Sequence, residues 1–109
     1  MGMKEVNYKS RKGIVLTKIQ NEYLLVAAKA LTGQVPYLTQ INETAASCWI
    51  LLEKGTTEDR LIEALLLEYD IEDQDLFRRD IHMLLEKLYE KGYIIREPEE
   101  QIMKDERED

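Results

Sequence analysis

Apolar positions recur along this chain with two different periods, and the changes of period divide it into elements. In Gly13 to Ile19, GIVLTKI, the positions Ile14, Leu16 and Lys18 alternate with Val15, Thr17 and Ile19. In Glu22 to Lys29, EYLLVAAK, Tyr23, Leu25 and Ala27 alternate with Leu24, Val26 and Ala28. A period of two in aliphatic and β-branched residues predicts strands. Gln20-Asn21 between them suits a tight turn, so the pair reads as a hairpin. Leu and Ala also support a helix over 22–29, but the flanking turn signals leave little room for one. A turn around Gly33 follows. Pro36 suits the first position of an edge strand, because it has no N–H to give to a ladder. Tyr37-Leu38-Thr39-Gln40-Ile41 is then a third strand, with Tyr37, Thr39 and Ile41 on one face and Leu38 and Gln40 on the other.

Beyond Ile41 the period becomes that of a helix. Ala45, Cys48, Trp49 and Leu52 fall at i, i+3, i+4 and i+7, one apolar stripe. Asn42 or Thr44 can cap this helix by accepting from the free N–H groups of its first turn. Gly55 sits where a positive φ is wanted just past the helix end. Thr56 or Thr57 caps a second helix, with Glu58, Asp59 and Arg60 in its first turn and Leu61, Ile62, Leu65, Leu66 and Tyr69 as its apolar face. Asp73 or Asp75 caps a third helix running to Lys91, with Phe77, Ile81, Leu84, Leu85 and Leu88 as its stripe. Gly92 stops it, and Tyr93-Ile94-Ile95 is a short extended piece. The order β-β-β-α-α-α-β predicts an α+β fold in two layers, with a small three-stranded antiparallel sheet followed by three helices packed on one face. Two helices joined by a Gly-containing turn, a third helix and a terminal extended piece also describe a winged helix-turn-helix.

Length and charge narrow this picture. A chain of 109 residues allows one small core. Residues 1–12 read as a basic flexible arm, 13–96 as the domain, and 97–109 as an acidic disordered tail. The net charge of −7 is uneven, with +4 over residues 1–18 and −5 over 97–109. A chain this acidic is a poor ligand for nucleic acid, whose phosphates need clustered Lys and Arg. On the third helix Arg78, Arg79, Lys87 and Lys91 are offset by Asp75, Asp80, Glu86 and Glu90. No apolar run approaches about 18 residues and no signal peptide is visible, so a soluble cytoplasmic protein without a membrane span is expected. The lone Cys48 cannot form an internal disulfide, which fits a reducing compartment.

Catalytic chemistry is sparse. His82 lies one position off the apolar stripe of its helix. One Cys and one His give no zinc spacing, so neither a metal nor a cofactor is expected. A Cys48–His82 nucleophile pair is formally available, but Cys48 lies on the apolar face of its helix and reads as core. The five glycines are scattered and make no phosphate loop. Glu68, Asp70, Glu72, Asp73 and Asp75 lack the spacing and central Gly of a calcium loop and read as caps and solvated charge. The chain is therefore expected not to be an enzyme.

The run from Tyr37 to Ile95 resembles the PqqD-like family, small proteins also called RiPP recognition elements. The resemblance rests on Gln40-Ile41-Asn42-Glu43-Thr44-Ala45-Ala46 entering the first helix, Trp49-Ile50-Leu51-Leu52 within it, and Gly55-Thr56-Thr57 after it. Tyr69-Asp70-Ile71, Asp80-Ile81, Leu84-Leu85, Leu88 and Lys91-Gly92-Tyr93-Ile94 complete the ordered set. Ile41 stands where the family pattern has Leu before Asn. The resemblance implies a winged-helix-like fold that binds the leader segment of a ribosomally made precursor peptide. It implies presentation of that peptide to a modifying enzyme, often a radical SAM protein, in natural-product or pyrroloquinoline quinone-type biosynthesis.

Physical reasoning supports such a mechanism. An edge strand offers unpaired N–H and C=O groups to which an extended peptide can add. Tyr37, Leu38, Thr39, Gln40 and Ile41 are expected to carry the strand pairing. On the third helix, Ile81, Leu84, Leu85 and Leu88 face the sheet, as groove floor or simply as core. Arg78, His82 and Tyr89 lie about 60° to 100° round the helix from Ile81 and are expected to line the groove, Arg78 and His82 meeting leader carboxylates. Solvated helix face is the plainer reading of Arg78 and Tyr89. The competing functions are a winged-helix DNA-binding protein and a regulatory or dimerisation protein. An open edge also accepts a second copy of the chain, which leaves a homodimer open.

Overall fold

The computed structural model describes residues 6–97. The chain order is β1 (Asn7–Ser10), β2 (Ile14–Ile19), β3 (Glu22–Ala27), a 3-10 turn (Lys29–Leu31), β4 (Leu38–Ile41), α1 (Glu43–Leu52), β5 (Thr56–Thr57), α2 (Glu58–Glu68), α3 (Gln74–Glu90) and β6 (Ile94–Arg96). The α+β class and the three-stranded antiparallel sheet leading into three helices are as the sequence predicts. That sheet is ordered β2-β3-β4, with Ile14 opposite Ala27 and Ile19 opposite Glu22 in the hairpin. The hairpin turn is at Gln20-Asn21, where Gln20 takes a φ of 58°. The third strand is β4, whose Ile41 lies opposite Tyr23 and Leu38 opposite Val26.

A second antiparallel sheet, β5-β1-β6, was not legible in the sequence. It corrects the reading of residues 1–12 as a flexible arm, because Asn7–Ser10 is its central strand. Tyr8 pairs with Thr56 on one side and Arg96 on the other. A four-residue strand, NYKS, has no periodic signal of its own. It forms because its neighbours supply a ladder on both sides and because the Tyr8 ring is buried in the core. Arg11, also assigned to the arm, hydrogen-bonds the Gln34 side chain and reaches the Gly92 carbonyl at 3.4 Å. Residues 1–5 and 98–109, and with them nearly all of the expected acidic tail, lie outside the described residues.

The helices start and stop for local reasons. Asn42 caps α1, its side-chain oxygen accepting from Ala45 N–H at 2.8 Å. Thr57 caps α2 by accepting from Arg60 N–H, and Asp73 caps α3 by accepting from Leu76 N–H. Such caps each contribute about 1 kcal/mol. Gly55 and Gly92 end α1 and α3 with φ of 90° and 89°. At Gly92 the Tyr93 N–H returns to the Leu88 carbonyl at 2.9 Å, closing the last turn.

The buried stripes meet in one core. Cys48, Trp49 and Leu52 of α1, Leu61, Ile62 and Leu65 of α2, and Ile81, Leu85 and Leu88 of α3 pack with Ile14, Leu25 and Ala27 of the β2-β3-β4 sheet and Tyr8 and Ile94 of the other. Each fully buried Leu or Ile contributes roughly 1.5–3 kcal/mol.

Candidate functional site

Strand β4 hydrogen-bonds to β3 on one side, and its other side is a sheet edge. The Ala27 N–H donates to the Tyr37 carbonyl at 2.9 Å. In an antiparallel ladder hydrogen-bonded and open pairs alternate, so Leu25–Thr39 and Tyr23–Ile41 also direct their bonds inward. The backbone groups of Leu38 and Gln40 therefore point out of the edge. Beside them, the side chains of Tyr37 and Leu38 are 71% and 52% exposed.

Helix α3 meets opposite ends of the segment that contains β4 through its end and its middle. Its C-terminal end meets the approach to β4: Val35 and Gln34 pack on Gly92, where an added Cβ would meet Val35 Cγ1 at 3.4 Å. At the middle of β4, the Thr39 and Tyr93 hydroxyls hydrogen-bond at 2.6 Å. At the far end, a cleft of about 280 Å³ lies between the start of α1 and the first half of α3. It is lined by Asn42, Thr44, Ala45, Phe77, Asp80, Ile81 and Leu84. A second hollow of about 470 Å³ lies before β4, between Ala27-Ala28 and the 32–37 loop. The unpaired edge thus has an apolar depression at each end and a helix beside it.

The expected groove residues divide in two. Tyr37 through Ile41 occupy the edge strand and its approach. Ile81 and Leu85 are buried beneath, as part of the core. Arg78, His82 and Tyr89 are not brought to the cleft. The His82 Nδ1 lies 2.9 Å from a Glu58 carboxylate oxygen at the start of α2, and its Nε2 is 3.8 Å from Glu86. The hydrogen bond to Glu58, and then that carboxylate's charge, raise the His82 pKa above its ordinary value. Tyr89 stacks under the Arg96 guanidinium of β6, 3.8 Å from its ring centroid. Arg78, four residues before His82, lies on the same flank and is exposed. The flank of α3 that lines the cleft is the opposite one, carrying Phe77, Asp80 and Leu84. Nothing in the 3.6-residue period of α3 separates these two flanks. The only available signal was the connection of β4 to α1 through Asn42 alone, which fixes the start of α1 at the end of the edge strand.

The described residues offer little covalent chemistry. Cys48 is fully buried and burial pushes its thiol pKa up to about 12, far from a reactive thiolate. They hold no group of three or more His, Cys, Asp or Glu placed to bind a metal ion. None of their helices is long and apolar enough to cross a membrane. The arrangement is suited to holding an extended chain.

No curated protein matches the sequence. Two solved structures share its fold. One is TbiB1 in complex with the TbiA(beta) leader peptide, 23% identical, with a TM-score of 0.61 over 79% of this chain and 93% of that one. The other is a lasso peptide synthetase B1 complexed with the leader peptide, 24% identical, with a TM-score of 0.62 over 81% of this chain and 96% of that one. Residues 34–94 match the family described as coenzyme PQQ synthesis protein D (PqqD). That match runs from the approach to β4 to the start of β6 and covers more than half of the sequence, so the chain belongs to the PqqD family.

Proposed function

We propose that this chain is a non-catalytic recognition module. It binds the leader segment of a ribosomally synthesised precursor peptide as a strand added to β4 and presents it to a modifying enzyme, of radical SAM type or similar, in the cytoplasm. The observation that carries this reading is the unpaired edge of β4 lying beside the Phe77–Leu84 flank of α3. The two structures of the same fold both hold leader peptides, which supports the same use here. Leu38 and Gln40 direct two N–H and two C=O groups outward. Each backbone bond they form with a peptide is worth about 0.5–1.5 kcal/mol net. That is affinity with little sequence demand, so specificity falls to the side-chain depressions. In this reading Tyr37, Leu38, Thr39, Gln40 and Ile41 form the strand and its approach, and Ile81 and Leu85 lie under the groove. Phe77, Asp80 and Leu84 form its wall, while Arg78, His82 and Tyr89 stand on the other side of α3.

The test is titration of the isotope-labelled chain with the leader half of a short precursor peptide encoded beside its gene, read by backbone amide NMR. Shifts concentrated at 37–42 and at Phe77, Asp80 and Leu84 are expected. The Gln40→Pro chain removes an outward N–H without breaking a bond to β3, and should fold but not bind. Absence of shifts with neighbouring leader peptides, or unchanged binding by Gln40→Pro, rejects strand addition.

A further inference from the structure

The flank of α3 that lines the cleft past the end of β4 carries its charges in order. Asp80 lines the cleft together with Phe77, Ile81 and Leu84. Positions seven residues apart share a helix face. Asp73 therefore continues this wall before Asp80, Lys87 follows seven residues after Asp80, and Lys91 follows seven after Leu84. From the end of β4 back to its start, the wall reads Asp73, Phe77, Asp80, Leu84, Lys87, Lys91. Asp80, Lys87 and Lys91 are exposed, and none of the three forms an ion pair among the described residues. Arg11 adds a third cation at the lysine end, where it reaches the Gly92 carbonyl. Glu43, in the first turn of α1, adds an anion at the other. The partial charges of the helix ends oppose this order but amount to about half a unit each, against two or three full charges.

The dimensions fit an extended chain. From Asp73 to Lys91 is about 27 Å at 1.5 Å per residue. About eight residues of strand cover the same length. A peptide paired to the four residues of β4 would therefore overhang it at both ends, and its overhangs would lie against opposite charges.

We propose that this groove selects its peptide by charge order. The preferred ligand has acidic side chains on the stretch lying by Tyr37, Lys87 and Lys91, an apolar middle against β4 and Leu84, and basic side chains on the stretch lying by Asn42 and Asp80. Asp80, Lys87 and Lys91 are the specificity-determining residues. The inference rests on strand addition at β4 and adds the register and polarity of the bound chain.

Exchange of the two central charges tests it. Asp80→Lys with Lys87→Glu reverses the order at constant net charge, on two exposed positions. Phage-displayed random dodecapeptides are selected separately on the wild-type full chain and on the exchanged chain. Only clones lost on the Gln40→Pro chain are counted, so that every counted peptide uses the β4 edge. Opposite charge orders around the apolar stretch are expected in the two pools. Peptides from the wild-type pool should bind the exchanged chain at least fivefold more weakly at low salt, with the gap closing at high salt. If the exchanged chain does not fold, Asp80→Asn with Lys87→Gln replaces it, and the ordered pool should become unordered. The same charge order in both pools, or none in either, overturns the charge-order proposal and leaves strand addition standing. A selection without any clone dependent on Gln40 rejects strand addition and this proposal together.

Discussion

The two flanks of α3 share one helix, one buried stripe and similar composition, yet they do different work. The flank carrying His82, Glu86 and Tyr89 is occupied. His82 meets Glu58, Glu86 approaches Arg96 at 3.5 Å, and Arg96 covers Tyr89. These contacts tie α2 and β6 to α3. The flank carrying Phe77, Asp80 and Leu84 lines a cleft with Asn42, Thr44 and Ala45, just past the end of the edge strand β4. Among the described residues Asp80, Lys87 and Lys91 form no ion pair. Apolar wall and charge without a partner among the described residues distinguish this flank from the other. The lesson is that a polar residue beside a buried stripe points to a site only once it is known which neighbour it faces.

Mutations can break or sharpen this contrast. The largest effect is expected where the flanks meet. Leu85 is fully buried between them, and Leu85→Ala should cost about 2–5 kcal/mol in urea unfolding. It should damage peptide binding only through loss of the fold. On the open flank, Leu84→Ala should weaken leader-peptide binding about tenfold, or 1.4 kcal/mol, in a fluorescence titration. Because Leu84 is only half-buried, the unfolding midpoint should move less than for Leu85→Ala. On the occupied flank the pattern should invert. Arg96→Met removes the stacking on Tyr89 and should lower stability by about 1 kcal/mol with peptide affinity unchanged. A loss of affinity there as large as that of Leu84→Ala would erase the distinction.

The smallest effect concerns pH. The folded His82 pKa is raised by Glu58, so the bridge stabilises the fold fully below the unfolded value of 6.5. That contribution is lost as pH rises through the higher folded value. With the imidazole 53% exposed, screening holds the effect to about 0.5 kcal/mol or less. Chemical denaturation from pH 5.5 to 8.5 should show this decline in the wild type and its absence in His82→Ala. A decline of equal size in His82→Ala would assign it to another group.

Much of the frame was legible because its causes are local. The hairpin followed from period-two alternation and a two-residue turn. The helix limits followed from paired cap candidates, Asn42 or Thr44, Thr56 or Thr57 and Asp73 or Asp75, of which the structure uses Asn42, Thr57 and Asp73, and from Gly55 and Gly92 as stops. The stripes of α1, α2 and α3 became the core. The edge character of 37–41 followed from Pro36 and the loop before it. Of the second sheet only the extended piece at Tyr93-Ile94-Ile95 was read; its pairing and its other strands were hidden because the three strands are two to four residues long and pair only with distant partners. A strand that short has no period to detect, and long-range pairing overrides its weak propensity. The groove wall was hidden for a different reason. A helical stripe fixes which face is buried but is silent about which neighbour stands to its left and right.

The sequence by itself therefore determined the family, the α+β class, the approximate limits of the three helices and the edge strand that ends at Ile41, all of which depend on residues near one another in the chain. Only the tertiary structure decided that Asn7–Ser10 is a central strand, that His82 meets Glu58 and Tyr89 meets Arg96, and that Phe77, Asp80 and Leu84 line a cleft with the start of α1. These outcomes depend on the side of α3 against which α2 and β6 pack. That choice is made by the fit of whole elements, and no single stretch of sequence encodes it.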